Sequence, residues 1–234
     1  MPSDAEVAAH RTIQSAAKAV LADLAGEIGA DDTEQSIAAR AYRSLCARGL
    51  PQSWYYDCPA YVLLGSRSCL SISGRDYRPA DERVGETNLV TVDLSPMHNG
   101  RWGDCARSFF IERGCVTAEP SLHEYALGKA FIEALHREMC AFVRPQTTLH
   151  DLFEWTQARI AAAGFVNLDF GRNVGHTLAR RREDRQFIKA GEPARLCEVA
   201  FFTFEPHVRA LNGHWGFKNE NVYFFNAAGE LEEL

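Results

Sequence analysis

Residues 88–110, NLVTVDLSPMHNGRWGDCARSFF, decide how this chain is read. Asn99-Gly100 is a type I′ turn signal, because both central positions of that turn need φ > 0. Centring the turn there pairs His98 with Arg101, Met97 with Trp102, Pro96 with Gly103 and Ser95 with Asp104. Side chains alternate along a strand, so Asp93, two residues before Ser95, shares a face with Asp104. Diagonal cross-strand neighbours lie roughly 7–8 Å apart at Cα, and unpaired like charges placed so are destabilising. A cation between them removes the penalty. Two solvent-facing aspartates on a hairpin would be the plainer reading. Val90, Val92 and Leu94 on one side and Cys105, Phe109 and Phe110 on the other are residues of buried type, however. Burial of the carboxylates without a counter-charge would be costly, so ion binding is favoured. Pro96 is the point at which a bulge would change these distances.

Outward from this hairpin the apolar spacing predicts a helix over Asp4–Ala25 and a second from Asp32-Thr33 to Gly49, stopped by Pro51. Strands are predicted at Ala60–Leu64, 69–72, 88–94 and 101–111. The pattern then restarts, with helices over 121–142 and 148–163, closed by Pro145 and Gly164, and strands at 199–205 and Phe217–Phe225. Two helices then strands, twice over, points to an α+β fold of two similar halves. The halves share organisation and no visible sequence identity. No Gly/Ser/Pro-rich linker separates them, so one domain over 1–234 is expected.

The length of 234 residues allows one substantial core. An apolar fraction of 46% and a charged fraction of 24% are ordinary for a globular protein. The net charge of -6, with no long basic tract, argues against nucleic acid or an anionic membrane as the main partner. The apolar runs are too short to span a bilayer, and the polar N-terminus lacks a signal segment. Seven cysteines without CxxC spacing fit reduced thiols. A cytoplasmic location is the expectation.

Three further residues draw attention. His176 sits in GRNVGHTLAR, where a hydrogen-bonded structural role is the commoner one for a lone histidine. The glycines invite a phosphate-loop reading, but no Lys-Ser/Thr follows them. Glu205 ends a phenylalanine-rich strand, where a carboxylate needs a partner. Thr203 shares its face. Glu220, in GFKNENVYFF, is balanced evenly between a ligand and an edge-strand glutamate paired with Lys218. Asp93, Asp104, His176, Glu205 and Glu220 together form an oxygen-rich set with one nitrogen, which suits Mn, Fe, Co or Zn.

In this order the motifs resemble the pita-bread metallopeptidases, the family of methionine aminopeptidase, Xaa-Pro aminopeptidase, prolidase and creatinase-like enzymes. TVDLSPMHNGRWGDCARSFF is similar to the family's strand-turn-strand with two metal aspartates, Arg107 matching its DxxR. Gly175-His176 resembles the start of its GHG motif, and FTFEP at 202–206 its F-T-[IV]-E-P. GFKNENVYFFNAAGE resembles its G-[VI]-R-x-E-D-x-V…G ending, with Asn221 in place of the usual Asp. The resemblance covers nearly the whole chain and lacks the extra N-terminal domain of prolidase-type members. It implies two divalent metal ions (Mn, Co, Fe or Zn) and a small-molecule or short-peptide substrate. Asp93 would hold one ion and His176 with Glu205 the other. Asp104 and Glu220 would bridge, and Glu205 would transfer protons. A homodimer is compatible with the sequence and not decided by it.

Two departures from the family pattern matter. The histidine expected upstream of Asp93, near Arg75, Asp76 and Tyr77, is missing. The one expected after the GHG motif is missing too, where the sequence reads LARRREDRQF. Such groups donate to the substrate carbonyl, and losing them can cost on the order of 10²–10³ in rate. Arg180, Arg181, Arg182 and Arg185 follow His176, and Arg75 lies in the other depleted region. Guanidinium groups there would suit an anionic substrate, although a solvated loop balanced by Glu183 and Asp184 reads equally well. His207 and His214 are candidates for supplying an imidazole from elsewhere. The expected function is metal-dependent hydrolysis of an amide in a small peptide or amino-acid derivative. A repurposed metalloenzyme acting on a non-peptide, anionic substrate is the second reading, and an inactive binding homologue the third.

Overall fold

The computed structural model describes residues 1–234. Helix α1 (Asp4–Ala25) starts at a Ser3–Glu6 capping box, and α2 (Glu34–Ala47) at the equivalent Thr33–Ser36 pair, so each first turn has its free N–H groups satisfied. The strands of this half are β1 (Gln52–Ser53), β2 (Ala60–Leu64), β3 (Thr87–Leu94), β4 (Pro96–His98), β5 (Arg101–Trp102), β6 (Cys105–Glu112) and β7 (Cys115–Thr117). The second half repeats the order with α3 (His123–Phe142), α4 (Leu149–Ala162), β8 (Phe165–Asn167), β9 (Phe202–Phe204), β10 (His207–Ala210), β11 (Phe217–Phe225) and β12 (Leu231–Glu233).

Nine strands form one antiparallel sheet whose main path runs β2-β3-β6-β11-β10-β8. Strand β7 pairs with β6, while β9 and β12 pair with β11. Alternation divides the side chains. Val90, Val92 and Leu94 of β3 and Cys105, Phe109 and Ile111 of β6 pack with the inner faces of α1 and α2. Phe202, Phe204, Phe217, Tyr223 and Phe225 pack with α3 and α4. The expected α+β fold of two helix-helix-strand halves is therefore what the chain adopts. Thr91 and Asp93 of β3 and Lys218 of β11, at positions between these core residues, face the other way and line the cavity described below.

The hairpin keeps one register throughout. Asn99 and Gly100 have φ of 50° and 71°, His98 faces Arg101 and Met97 faces Trp102. Farther along, Leu94 faces Cys105 and Asp93 faces Ala106. Pro96 introduces no bulge. Instead the ribbon leaves the main sheet beyond Leu94, where β4 pairs with β1 and β5 in a small separate sheet. The strand predicted at 69–72 does not form. The chain makes a 3-10 turn at Gly65–Cys69, and Ser68 is tied across the molecule, its carbonyl accepting from His207 and its hydroxyl from the Gly216 N–H. Glu34, buried on α2, receives the N–H groups of Leu64 and Ala80 and the Arg67 guanidinium, anchoring both ends of this segment.

Strand β11 is held from behind by His136 of α3. Its Nε2 donates to the Asn219 carbonyl at 3.0 Å, so its Nδ1 accepts from the Tyr223 hydroxyl at 3.1 Å. Burial pushes the pKa of His136 down to about 3. The unfolded chain, with an ordinary histidine pKa, takes up this proton first, so the contribution is intact above about pH 6.5 and is lost as pH falls toward 3. Urea unfolding should show the stability gap between wild type and His136→Gln narrowing by about 1 kcal/mol from pH 7 to pH 5.5. A gap that does not change with pH would show that the ring is not held neutral.

Candidate metal centre

The cavity face of the sheet collects the acidic residues because adjacent antiparallel strands put paired residues on one side. Asp93 faces Ala106, and Glu220 of β11 also faces Ala106 from the other flank of β6. Asp104 lies just before β6, where a side chain from α1 fixes its backbone. The Gln14 amide donates to the Asp104 carbonyl at 2.6 Å and accepts from the Asp104 N–H at 2.9 Å. Glu205 follows β9, its N–H donating to the Val174 carbonyl. The loop carrying His176 runs along β9 as an added edge, with Thr203 N–H donating to the His176 carbonyl at 2.7 Å. Only glycine fits before it. Gly175 has φ of 154°, and a Cβ there would lie 2.2 Å from the Thr203 carbonyl oxygen.

All five residues converge. Asp104, His176 and Glu220 form one triad of potential ligand atoms within 4.8 Å of one another, and Asp93, Glu205 and Glu220 form a second. Glu220 is common to both, which suits a bridging carboxylate. Asp104 groups with His176, and Glu205 with Asp93. The His176 Nε2 nevertheless stands 3.4 Å from Asp104 Oδ2 and 3.6 Å from Glu205 Oε1.

The chemistry of the donors fits a divalent cation. His176 Nδ1 donates to the Thr177 carbonyl at 3.0 Å, which leaves the Nε2 lone pair facing carboxylate oxygens. Asp104 Oδ2 and both Glu220 carboxylate oxygens are buried without a hydrogen-bond partner. Buried acceptors that receive no hydrogen bond are expensive in isolation. Burial pushes Asp104 up to about 6 despite its contact with His176, and burial followed by the charges of Asp104 and Glu205 drives Glu220 well above the usual range. A bound cation would reverse both effects.

The second triad contains a resident cation. Lys218 Nζ lies 2.6 Å from Asp93 Oδ2, 2.9 Å from Glu205 Oε2 and 3.4 Å from Glu220 Oε2. Burial raises Asp93 even with this partner. For Glu205 burial also acts upward, but Lys218 and His176 outweigh it and leave the group lowered. The sequence pairs Lys218 with Glu220 alone, on an edge strand. In the structure β11 is interior and the lysine serves three carboxylates, because Lys218 and Glu220 alternate onto the cavity face.

The cavity above this cage has a volume of about 610 Å³ and aromatic walls that include Trp54, Tyr55, Tyr56, Tyr61 and Phe187. Trp54 stacks on Trp102 and meets the His176 ring edge-on at 5.4 Å. Of the other residues singled out in the sequence, Arg75 and His207 line the cavity, while Arg180, Arg181, Arg182 and His214 do not. Arg180 is exposed and Arg181 pairs with Asp184. Arg182 stacks on Tyr56 with its guanidinium carbon 3.7 Å from the ring centre. His214 is exposed beside Glu124. A 3-10 turn at Arg182–Asp184 folds the arginine run outward and delivers Arg185 to the cavity instead. His207 donates from Nε2 to the Ser68 carbonyl at 2.7 Å and is held neutral, burial pushing its pKa down to about 4. Gln14 and Trp54 carried no motif by which the sequence would single them out, and Lys218 was read there only as a neighbour of Glu220.

Replacing Lys218 by Met removes the ammonium from three carboxylates. Breaking a buried charge cluster costs about 3–5 kcal/mol. In chelator the variant's thermal midpoint should fall on the order of 10 °C, and excess Mn²⁺ should raise it more than it raises the wild type's, since the ion meets no competing ammonium. An unchanged midpoint in chelator would contradict the role assigned to Lys218.

Comparison with known proteins places the chain in a family. The profile of metallopeptidase family M24 matches residues 8–227. The methionine aminopeptidase A of Synechocystis sp. is 31% identical over 133 residues, 55% of this chain and 48% of that protein. The X-Pro aminopeptidase from Thermotoga maritima superposes with a TM-score of 0.81 at 17% identity, over 99% of this chain and 61% of its own. The recombinant prolidase from Thermococcus sibiricus gives 0.80 at 15% identity, over 100% and 59%. The chain thus spans about half the length of the curated relative it matches and about three-fifths of these structures. The structural likeness shows the fold, a pita-bread fold with a curled antiparallel sheet. With nearly the whole sequence under the family profile, the chain belongs to metallopeptidase family M24.

Proposed function

We propose that this protein is a metal-dependent hydrolase that cleaves an amide bond in a small peptide or amino-acid derivative. The observation that carries this reading is the pair of ligand triads sharing Glu220, with buried oxygens that accept no hydrogen bond, four of whose five residues line a cavity of about 610 Å³. Asp93, Asp104, His176, Glu205 and Glu220 would hold two divalent ions, of which manganese, cobalt, iron and zinc all suit the donor set. When bound, such ions polarise a carbonyl and make water nucleophilic near neutral pH.

The chain's own residues supply the remaining steps. Glu205 takes the proton of the attacking water and passes it to the departing amine, so that water adds across the C–N bond and a carboxylate and an amine leave. Thr203, whose hydroxyl donates to Glu205 Oε1 at 3.3 Å, orients that carboxylate. The aromatic walls restrict water and strengthen the electrostatic interactions inside.

A second reading is a metalloenzyme acting on a non-peptide substrate. One observation favours it: His176 and His207 are the only imidazoles lining the cavity, and the ring of His207 is anchored to Ser68.

Metal content and turnover test both readings. Purified protein, stripped by chelator and reloaded with Mn, Co, Fe or Zn, should bind metal and hydrolyse members of a dipeptide panel. Glu205→Gln should lower kcat by about 10²–10⁴-fold when assayed at metal concentrations that keep the site loaded. Failure to bind any of the four metals would sink both readings. Metal loading without hydrolysis of any dipeptide would overturn the peptide reading in favour of the second.

A further inference from the structure

Arg185 enters the cavity beside the cage and has no protein counter-ion. Its guanidinium carbon lies 4.8 Å from the Trp54 ring centre, 5.2 Å from Phe187 and 5.8 Å from Tyr55. Trp54 and Phe187 also flank His176, at 5.4 and 6.2 Å between ring centres. The guanidinium therefore sits one aromatic layer away from the imidazole of the cage. Its single hydrogen bond runs from Nε to the Arg182 carbonyl at 2.9 Å, and both terminal nitrogens are left without an acceptor. Asp104 and Glu205 are the carboxylates that act on it, but neither forms an ion pair with it. The neighbouring arginines differ: Arg181 is paired with Asp184 and Arg182 with Glu183. A guanidinium largely withdrawn from water normally has a partner, and here the open side is the cavity.

A carboxylate fits this position better than a phosphate. One guanidinium presents a planar fork that matches a carboxylate's two oxygens. A phosphate dianion would call for further cations, whereas the outer wall carries Asp76 and Asp169 against Arg75 alone, whose Nε lies 4.0 Å from Asp76. If the cage holds two divalent ions, its four ligand carboxylates are neutralised. Lys218 and Arg185 then leave the cavity floor positive.

We propose that Arg185 binds a carboxylate of the substrate and restricts the site to small amides carrying a free carboxylate close to the scissile bond, such as dipeptides or N-acyl amino acids. This rests on the amide-hydrolase reading for the identity of the scissile bond, and on the cavity alone for the anion site. Arg185 also lies in the segment where the family pattern calls for an imidazole, so the same stretch of chain would have exchanged a carbonyl donor for an anion anchor.

The test is calorimetric titration of Mn²⁺-loaded protein with a dipeptide isostere whose amide is reduced and non-cleavable. The ligand is made once with a free C-terminal carboxylate and once as the carboxamide. Wild type should bind the acid at least about 10-fold more tightly than the carboxamide. Arg185→Met should abolish the difference, and Arg185→Lys should keep part of it. Carboxamide affinity, expected to change less than about threefold, reports that the variants remain folded and loaded. Equal affinity for the two forms in wild type, absence of binding of the acid, or a preference that survives Arg185→Met would overturn the proposal. An acid preference in a protein that hydrolyses no dipeptide would uphold Arg185 and overturn amide hydrolysis of peptides. Hydrolysis without an acid preference would do the reverse.

Discussion

Four carboxylates brought onto one buried floor cannot stay charged without cations, and the rest of the molecule is arranged around that constraint. Asp93, Asp104, Glu205 and Glu220 arrive from three parts of one sheet, and burial pushes three of them toward the neutral form. Lys218 offsets the charge on one side of the cage. On the other side His176 offers a lone pair and Asp104 and Glu220 offer oxygens that accept no hydrogen bond. The helices keep this arrangement from relaxing. Gln14 of α1 clamps the backbone of Asp104 and His136 of α3 clamps the strand of Glu220, so the two halves of the fold each grip one side of the same cage.

The cavity wall repeats this logic with aromatic residues. Trp54 and Phe187 fix the plane of His176 on one side and enclose Arg185 on the other. An excess of negative charge at the floor and an unpaired guanidinium above it are unfavourable in the protein alone. Each becomes favourable when a cation binds below and an anion above. Binding free energy of this kind fixes orientation as well as affinity, which is what a hydrolase needs to present a scissile carbonyl to its water.

Much of this was legible in the sequence where local rules govern. Asn99-Gly100 set a hairpin register that the structure keeps throughout, and the helix starts read at Thr33 and Thr148 and the stops at Gly49 and Gly164 lie within two residues of the observed bounds. Alternation was enough to put Asp93 and Asp104 on one face. The misreadings arise where contacts are long-range. Residues 69–72 have strand-like composition, but Ser68 is claimed by His207 and Gly216 from the opposite half. Lys218 looked like a partner for its neighbour Glu220, since nothing local reveals that Asp93, 125 residues away, closes on the same ammonium. The arginine run was read by proximity to His176, and a single 3-10 turn reversed which of its members enters the cavity.

The divalent-cation cage proposed for Asp93, Asp104, His176, Glu205 and Glu220 can be imaged. Anomalous diffraction from crystals soaked in Mn²⁺ or Zn²⁺, recorded on both sides of the metal's absorption edge, tests it most directly. Peaks are expected among Asp104, His176 and Glu220 and among Asp93, Glu205 and Glu220, the second accompanied by movement of Lys218 Nζ away from the carboxylates. Metal bound only elsewhere on the protein, with Lys218 still seated among Asp93, Glu205 and Glu220, would contradict it.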